Sequence, residues 1–124
     1  MSYLVVFIGA GLGGSIRHGM NIWVARLMGT HFPYHTFVIN IVGSLAMGLV
    51  AGWFAERGGA AGHTRLFLAT GILGGFTTFS AFSLDSALLF ERGQMGLAAF
   101  YIVASVALSI AGVFAGLALV RYLT

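Results

Sequence analysis

The sequence predicts an all-α integral membrane protein of four transmembrane helices, the third of them broken at mid-membrane. Three observations predict it. Of 124 residues, 59% are hydrophobic and only 7% charged, with a mean hydropathy of +0.98; a soluble domain carries about 25% charged residues. Apolar residues fall into four stretches of roughly the ~20 residues a bilayer demands, joined by links that suit only antiparallel neighbours. The third stretch is interrupted by GGFTTFSAFS (74–83), where two glycines and four hydroxyls stand inside an apolar run.

The first stretch covers residues 3–28 and contains Arg17 and His18. Its opening, MSYLVVFIGAG, has neither a basic n-region nor a small-residue cleavage site, so it reads as a span and not as a leader. The turn GTHFPYH (29–35) follows, with the only proline, Pro33. The second stretch covers 37–54. The charged, glycine-rich link ERGGAAGHTR (56–65) predicts a loop. The third covers 66–90, ERGQ (91–94) predicts a tight turn, and the fourth covers 97–120, closed by Arg121. These make one membrane domain, with both termini on one side.

The net charge of +3 rests on six scattered arginines, with no lysine and no basic run, which leaves no nucleic-acid footprint. The absence of cysteine excludes disulfides and thiolate metal sites. Arginines in short loops orient a membrane chain. Here Arg57, Arg65 and Arg121 lie on the side of the termini, and Arg26 and Arg92 on the other. Three against two is almost no bias. A chain that inserts both ways and pairs two opposed copies has this pattern; so has one oriented by a single extra arginine, a lipid or an insertase.

Small residues let membrane helices approach where lipid supplies no hydrophobic drive. Gly9 and Gly13, with Ala10 and Gly14 beside them, form such a stripe in span one; Ser44, Gly48 and Gly52 form one in span two, and Gly112 and Gly116 in span four. Most of these glycines predict packing and no chemistry. Asn40 lies four residues before Ser44, so it continues a packed face and points to protein or water. Tyr101, Ser105 and Ser109 recur every fourth residue, on the face of Gly112 and Gly116. A single serine in a membrane helix back-bonds to its own carbonyls; three hydroxyls in register predict a polar track.

Arg17 is deep in span one, where a charge costs about 2.5–3.5 kcal/mol and turns to a cavity or partner. Two placements stay open: it snorkels from a shorter span, or it lines an aqueous vestibule that attracts anions. Asp85, the only acid inside a span, pairs with Arg17 or sits near the interface. His31 and His35 flank Pro33 in a turn, and His18 and His63 have no evident partner, so a histidine metal site is not expected. No nucleophile, base and orienter come together, so the sequence gives no support to a hydrolase and the chain is not expected to be an enzyme.

In GILGGFTTFSAFSLD (71–85), Gly74 and Gly75 followed by Thr77 and Thr78 predict a helix break between Gly74 and Thr77. Broken backbone at membrane depth survives only where protein or water covers it, and its freed carbonyls can hold ions. Phe79 and Phe82 share a helical face beside Ser80 and Ser83. Such spacing usually marks core filler, but a phenyl edge carries partial positive charge and can meet an anion.

The segments FVINIVGSLAMG (37–48) and GILGGFTTFSAFSLD (71–85), the run GLGGSIR (11–17) and the Tyr101/Ser105/Ser109 track together resemble the Fluc/CrcB fluoride channels across essentially the whole chain. The resemblance implies an antiparallel, dual-topology homodimer of four-helix subunits in the bacterial cell (inner) membrane. It implies two pores that passively export cytoplasmic fluoride and relieve its toxicity. It assigns Phe79 and Phe82 to the ring edges that meet fluoride, Asn40 to a pore-lining donor, and Tyr101, Ser105 and Ser109 to a hydroxyl track with Ser80 close by. Arg17 matches a vestibule arginine. Gly74 and Thr77 match positions whose backbone carbonyls hold a structural sodium ion at the dimer interface. Two positions depart: Ala81 stands where threonine is common, and Asp85 where glutamate is commoner.

Two other classes compete. A small dual-topology multidrug or cation exporter has the same size and span number, but uses a carboxylate in its first span, where this chain has Arg17 and no acid. A non-transporting subunit needs only the glycine packing and leaves TTFSAFS and the hydroxyl track without a purpose.

Overall fold

The computed structural model describes residues 1–56 and 62–123, which are all-helical with no strand among them. Helix α1, Ser2–Met28, is 27 residues long and stops at Gly29, whose φ of 83° suits glycine and whose N–H donates to the Ala25 carbonyl. Pro33 directly precedes α2, Tyr34–Glu56, and its carbonyl accepts from the Phe37 N–H at 3.1 Å. His35 therefore lies on α2 and not in the turn expected for it.

The third span is compound. A short helix α3, Gly62–Arg65, runs into a π-helical segment, Leu66–Leu73, then into α4, Gly74–Phe76. After an interruption, α5 covers Phe79–Glu91. Gly62–Arg65, expected to be loop, is thus helical, while the rest of that link, with Arg57, lies outside the described residues. The Arg92–Gln94 turn is tight, with Gly93 at a φ of 80° and the Gln94 N–H donating to the Leu89 carbonyl. Helix α6 then covers Met95–Leu123.

The helices pair along two glycine seams. α1 packs on the π-helical segment and α4, and α2 packs on α6. A Cβ on Gly9 would lie 2.8 Å from the Phe67 carbonyl oxygen and 2.9 Å from the Gly71 Cα. A Cβ on Gly116 would lie 2.5 Å from the Leu45 carbonyl oxygen. No side chain fits at these distances, so backbone meets backbone. The stripe glycines Gly13, Gly48, Gly52 and Gly112 also face neighbours within contact distance, whereas Gly14 faces none.

Of the helix break expected from Gly74 to Thr77, only the Thr77 end is broken, and the interruption runs on to Thr78. Gly74 to Phe76 stay helical, and the chain extends at Thr77 (φ −83°, ψ 159°) and Thr78 (φ −151°, ψ 120°). The reason is packing: a Cβ on Gly75 would lie 2.5 Å from the Ala10 carbonyl oxygen, so the glycine serves a helix contact. The β-branched threonines carry the interruption, and their own hydroxyls satisfy part of it.

Three stretches are long and apolar enough to cross a membrane: Tyr34–Ala55, Gly62–Glu91 and Met95–Leu123. This is a multi-pass membrane protein. The first expected span is long enough as a helix but is not among the three; Arg17, His18 and Asn21 dilute its apolar run. At one end of the bundle, Phe32 from the α1–α2 connection packs on the fully buried Tyr101, ring centroids 5.4 Å apart and nearly perpendicular, with Leu89 and Ala98 around them.

Candidate functional site

Where α2, the Thr77–Thr78 interruption, α5 and α6 meet, a groove of about 290 Å³ opens on the bundle surface. Asn40, Thr77, Thr78, Phe79, Phe82, Ser105 and Ser109 line it, with Gly43, Ser44 and Met47 from α2 and Val106 and Val113 from α6. Six of the expected site residues thus come together: Asn40, Thr77, Phe79, Phe82, Ser105 and Ser109.

Asn40 reaches the interruption directly. Its Nδ2 donates to the Thr78 carbonyl at 3.0 Å, and its Oδ1 accepts from the Thr78 N–H at 2.9 Å. The carboxamide therefore pairs with Thr78 as a neighbouring strand would. One Nδ2 hydrogen remains, since a carboxamide has two. The Thr78 hydroxyl caps α5, accepting from the Ala81 N–H at 3.1 Å. Ser80 is exposed outside the groove, its Oγ 3.4 Å from the Thr78 Oγ1.

The two phenylalanines differ. Phe82 is half-buried and stacks at a tilt on Tyr101, with centroids 5.3 Å apart. Phe79, with its centroid 5.6 Å from that of Phe82, is 78% exposed. Opposite them, Ser105 is buried and its hydroxyl has no partner among the described residues. An enclosed, unpaired hydroxyl costs free energy unless something else meets it. Ser109 lies one turn further along α6.

Besides Ser80, three expected residues fall elsewhere. Tyr101 is buried behind Phe82 and donates to the Asp85 Oδ2 at 3.2 Å, so it does not line the groove. Asp85 has Tyr101, and not Arg17, as its hydrogen-bond partner. Arg17 lies half-buried on α1, away from the groove, with its Nε enclosed and unpaired among the described residues. Gly74 lines a different opening, beside Arg65 and Thr70.

The interruption also changes the partners of two backbone carbonyls. In a continuous helix, the Thr78 N–H would meet the Gly74 carbonyl and the Ala81 N–H the Thr77 carbonyl. Here those amides go to Asn40 and to the Thr78 hydroxyl. The two carbonyls lose their helical donors, which fits them to an alkali cation. Among the described residues no cluster of three or more histidines, cysteines or acids offers another kind of metal site.

Sequence reasoning missed Thr78 as a cap and as the partner of Asn40. The spacing from Thr78 to Ala81 carries the cap signal, but the clamp joins a side chain to backbone, which leaves no residue pattern.

The family model described as CrcB-like protein, Camphor Resistance (CrcB), matches residues 4–117. A relative from Rhodopseudomonas palustris (strain BisB5), named fluoride-specific ion channel FluC, is 65% identical over the full length of both chains. One from Nitrobacter hamburgensis, named fluoride-specific ion channel FluC 2, is 62% identical, also over both full lengths. A third, from Methylobacterium nodulans, carries the name fluoride-specific ion channel FluC and is 62% identical over 98% of this chain and 97% of its own.

Proposed function

The chain belongs to the CrcB family, and from that premise and the groove between α2, α5 and α6 we propose that it is a fluoride channel and not an enzyme. The observation that carries the reading is the convergence of Asn40, Phe79, Phe82, Ser105 and Ser109 on one opening.

Fluoride is small and strongly hydrated, so a pore must replace its water with close donors and still let it leave. The Ser105 and Ser109 hydroxyls, the second amide hydrogen of Asn40 and the edges of Phe79 and Phe82 are donors of moderate strength. Spread along a path, they trade the ion from one to the next. A cation in the same groove would hold it; Arg17 stands apart, where it draws anions toward the mouth. Ser80 and Tyr101 extend the hydroxyl set at the ends, Ser80 through Thr78 and Tyr101 through its contact with Phe82. Transport is passive. HF crosses a membrane neutral, ionises in the more alkaline cytoplasm, and leaves as fluoride down the membrane potential.

The working unit is an antiparallel homodimer of four-span subunits in the bacterial inner membrane, with α1 as the fourth span. The exposure of Phe79, at the lip of a groove open on one side, supports a second copy as its lid. The near-balanced arginines support insertion in both orientations. A structural sodium ion between copies suits the carbonyls of Gly74 and Thr77, two from each chain, and would join the two interruptions. The exporter alternative is disfavoured, because α1 has Arg17 and no acid.

The test is fluoride efflux from liposomes containing the purified protein, followed with a fluoride electrode. Efflux that greatly exceeds that of empty liposomes, without a proton gradient, is expected. Proton-coupled export of an organic cation with no fluoride flux would replace this reading with the exporter.

A further inference from the structure

Asn40 stands between two parts of the molecule that the channel reading treats separately. One face of its carboxamide borders the groove; the other is spent on the Thr78 backbone. By accepting the Thr78 N–H, Asn40 takes the donor that a helix would give to the Gly74 carbonyl. It also holds the Thr78 carbonyl, which keeps that residue extended and its hydroxyl over the Ala81 N–H, so the Thr77 carbonyl loses its donor as well. We propose that Asn40 is a positioning residue for the cation site: its side chain replaces the missing backbone partners of Thr78, and so leaves the Gly74 and Thr77 carbonyls without their helical donors. The anion wall and the cation ligands are then two sides of one clamp. This inference rests on the channel reading only for the identity of the ions.

The energetics favour a clamp over a lone donor. A carboxamide at membrane depth with no partner would carry a large desolvation cost, and so would the Thr78 amide and carbonyl beside it. Pairing satisfies all of them at once. The residue immediately after the clamp is Phe79, so the same contact sets the direction in which α5 leaves and presents its rings.

Two substitutions separate the roles. Asn40→Ala removes donor and acceptor. Asn40→Asp keeps the acceptor for the Thr78 N–H and, when ionised, has no donor for an anion or for the Thr78 carbonyl. The readouts are amide hydrogen exchange of 15N-labelled Thr78 in detergent, the sodium concentration for half-maximal thermal stabilisation, and fluoride flux. For Asn40→Ala, Thr78 exchange should rise about tenfold, the worth of one hydrogen bond, and the sodium midpoint should rise with it. For Asn40→Asp, the Thr78 amide should stay protected, the sodium midpoint should shift less than in Asn40→Ala because only the hold on the Thr78 carbonyl is lost, and flux should fall. Undiminished protection of Thr78 in Asn40→Ala would overturn the clamp. Lost protection with an unchanged sodium midpoint would overturn its link to the cation site, as would indifference of the unmodified protein to sodium. An unmodified protein that carries no fluoride sinks the channel reading and leaves the exchange and sodium results standing.

Discussion

The two halves of the third span are held in place by opposite means. Up to Phe76 the chain is fixed by backbone contact: Gly71 and Gly75 meet Gly9 and Ala10 of α1 with no room for a side chain. From Thr77 onward it is fixed by side-chain hydrogen bonds and rings: Asn40 to Thr78, the Thr78 cap, Phe82 on Tyr101 and Tyr101 on Asp85. The first half leaves no room for a side chain at Gly75 and little at Gly71, and keeps its place by that packing. The second half exposes functional groups, and can lose one without losing its place. Rigidity and reactivity have been assigned to adjoining pieces of one span.

Substitutions on the two sides should fail in different ways. The largest effect is expected at Gly75→Val, because its Cβ would meet the Ala10 carbonyl. Overpacking against unyielding backbone costs about 1–3 kcal/mol or more, so folded protein should be largely lost, as read by size-exclusion chromatography. A monodisperse Gly75→Val protein would erase the contrast. Next, Phe82→Ile should leave the elution profile intact and lower fluoride flux about tenfold, the effect of losing one moderate electrostatic contact with the ion. Flux equal to that of the unmodified protein would show the ring edges to be bystanders. Tyr101→Phe should cost about 1 kcal/mol by leaving Asp85 without its donor, visible as a lower melting temperature. Ser105→Ala should be the mildest for stability, at or above the unmodified value, because it deletes a buried hydroxyl with no partner. Its flux should fall a few-fold, and that split between stability and flux marks the functional half.

Much of this division was legible in the residues. Four-residue spacing of Gly9 with Gly13 and of Gly48 with Gly52 pointed to the seams, and the Ser105–Ser109 register to the groove. Other features were hidden for physical reasons. The break was expected from Gly74 to Thr77, on the glycines and threonines together; only the threonine end is broken, because Gly75 stays helical to pack on Ala10. Tyr101 shares a face with Ser105, but its longer side chain carries its hydroxyl past the groove to Asp85. The π-helical turn left no trace, because a segment apolar on every side shows no change of period when its pitch changes.

That turn has a consequence for the numbering of the whole span. A π turn closes on the fifth residue instead of the fourth, so Leu66–Leu73 holds an extra residue relative to an α-helix. Each residue of an α-helix advances about 100°. Deleting one position there would return the stretch to ordinary pitch with little rotation of what lies beyond it, because seven residues of α-helix turn through about the same angle as eight of π-helix. Deleting one position from α4, with no wide turn to absorb it, would swing the threonines away from Asn40. The π-helical segment is thus a place where the span's length can change while its glycines and hydroxyls keep their facing, slack wound into the helix.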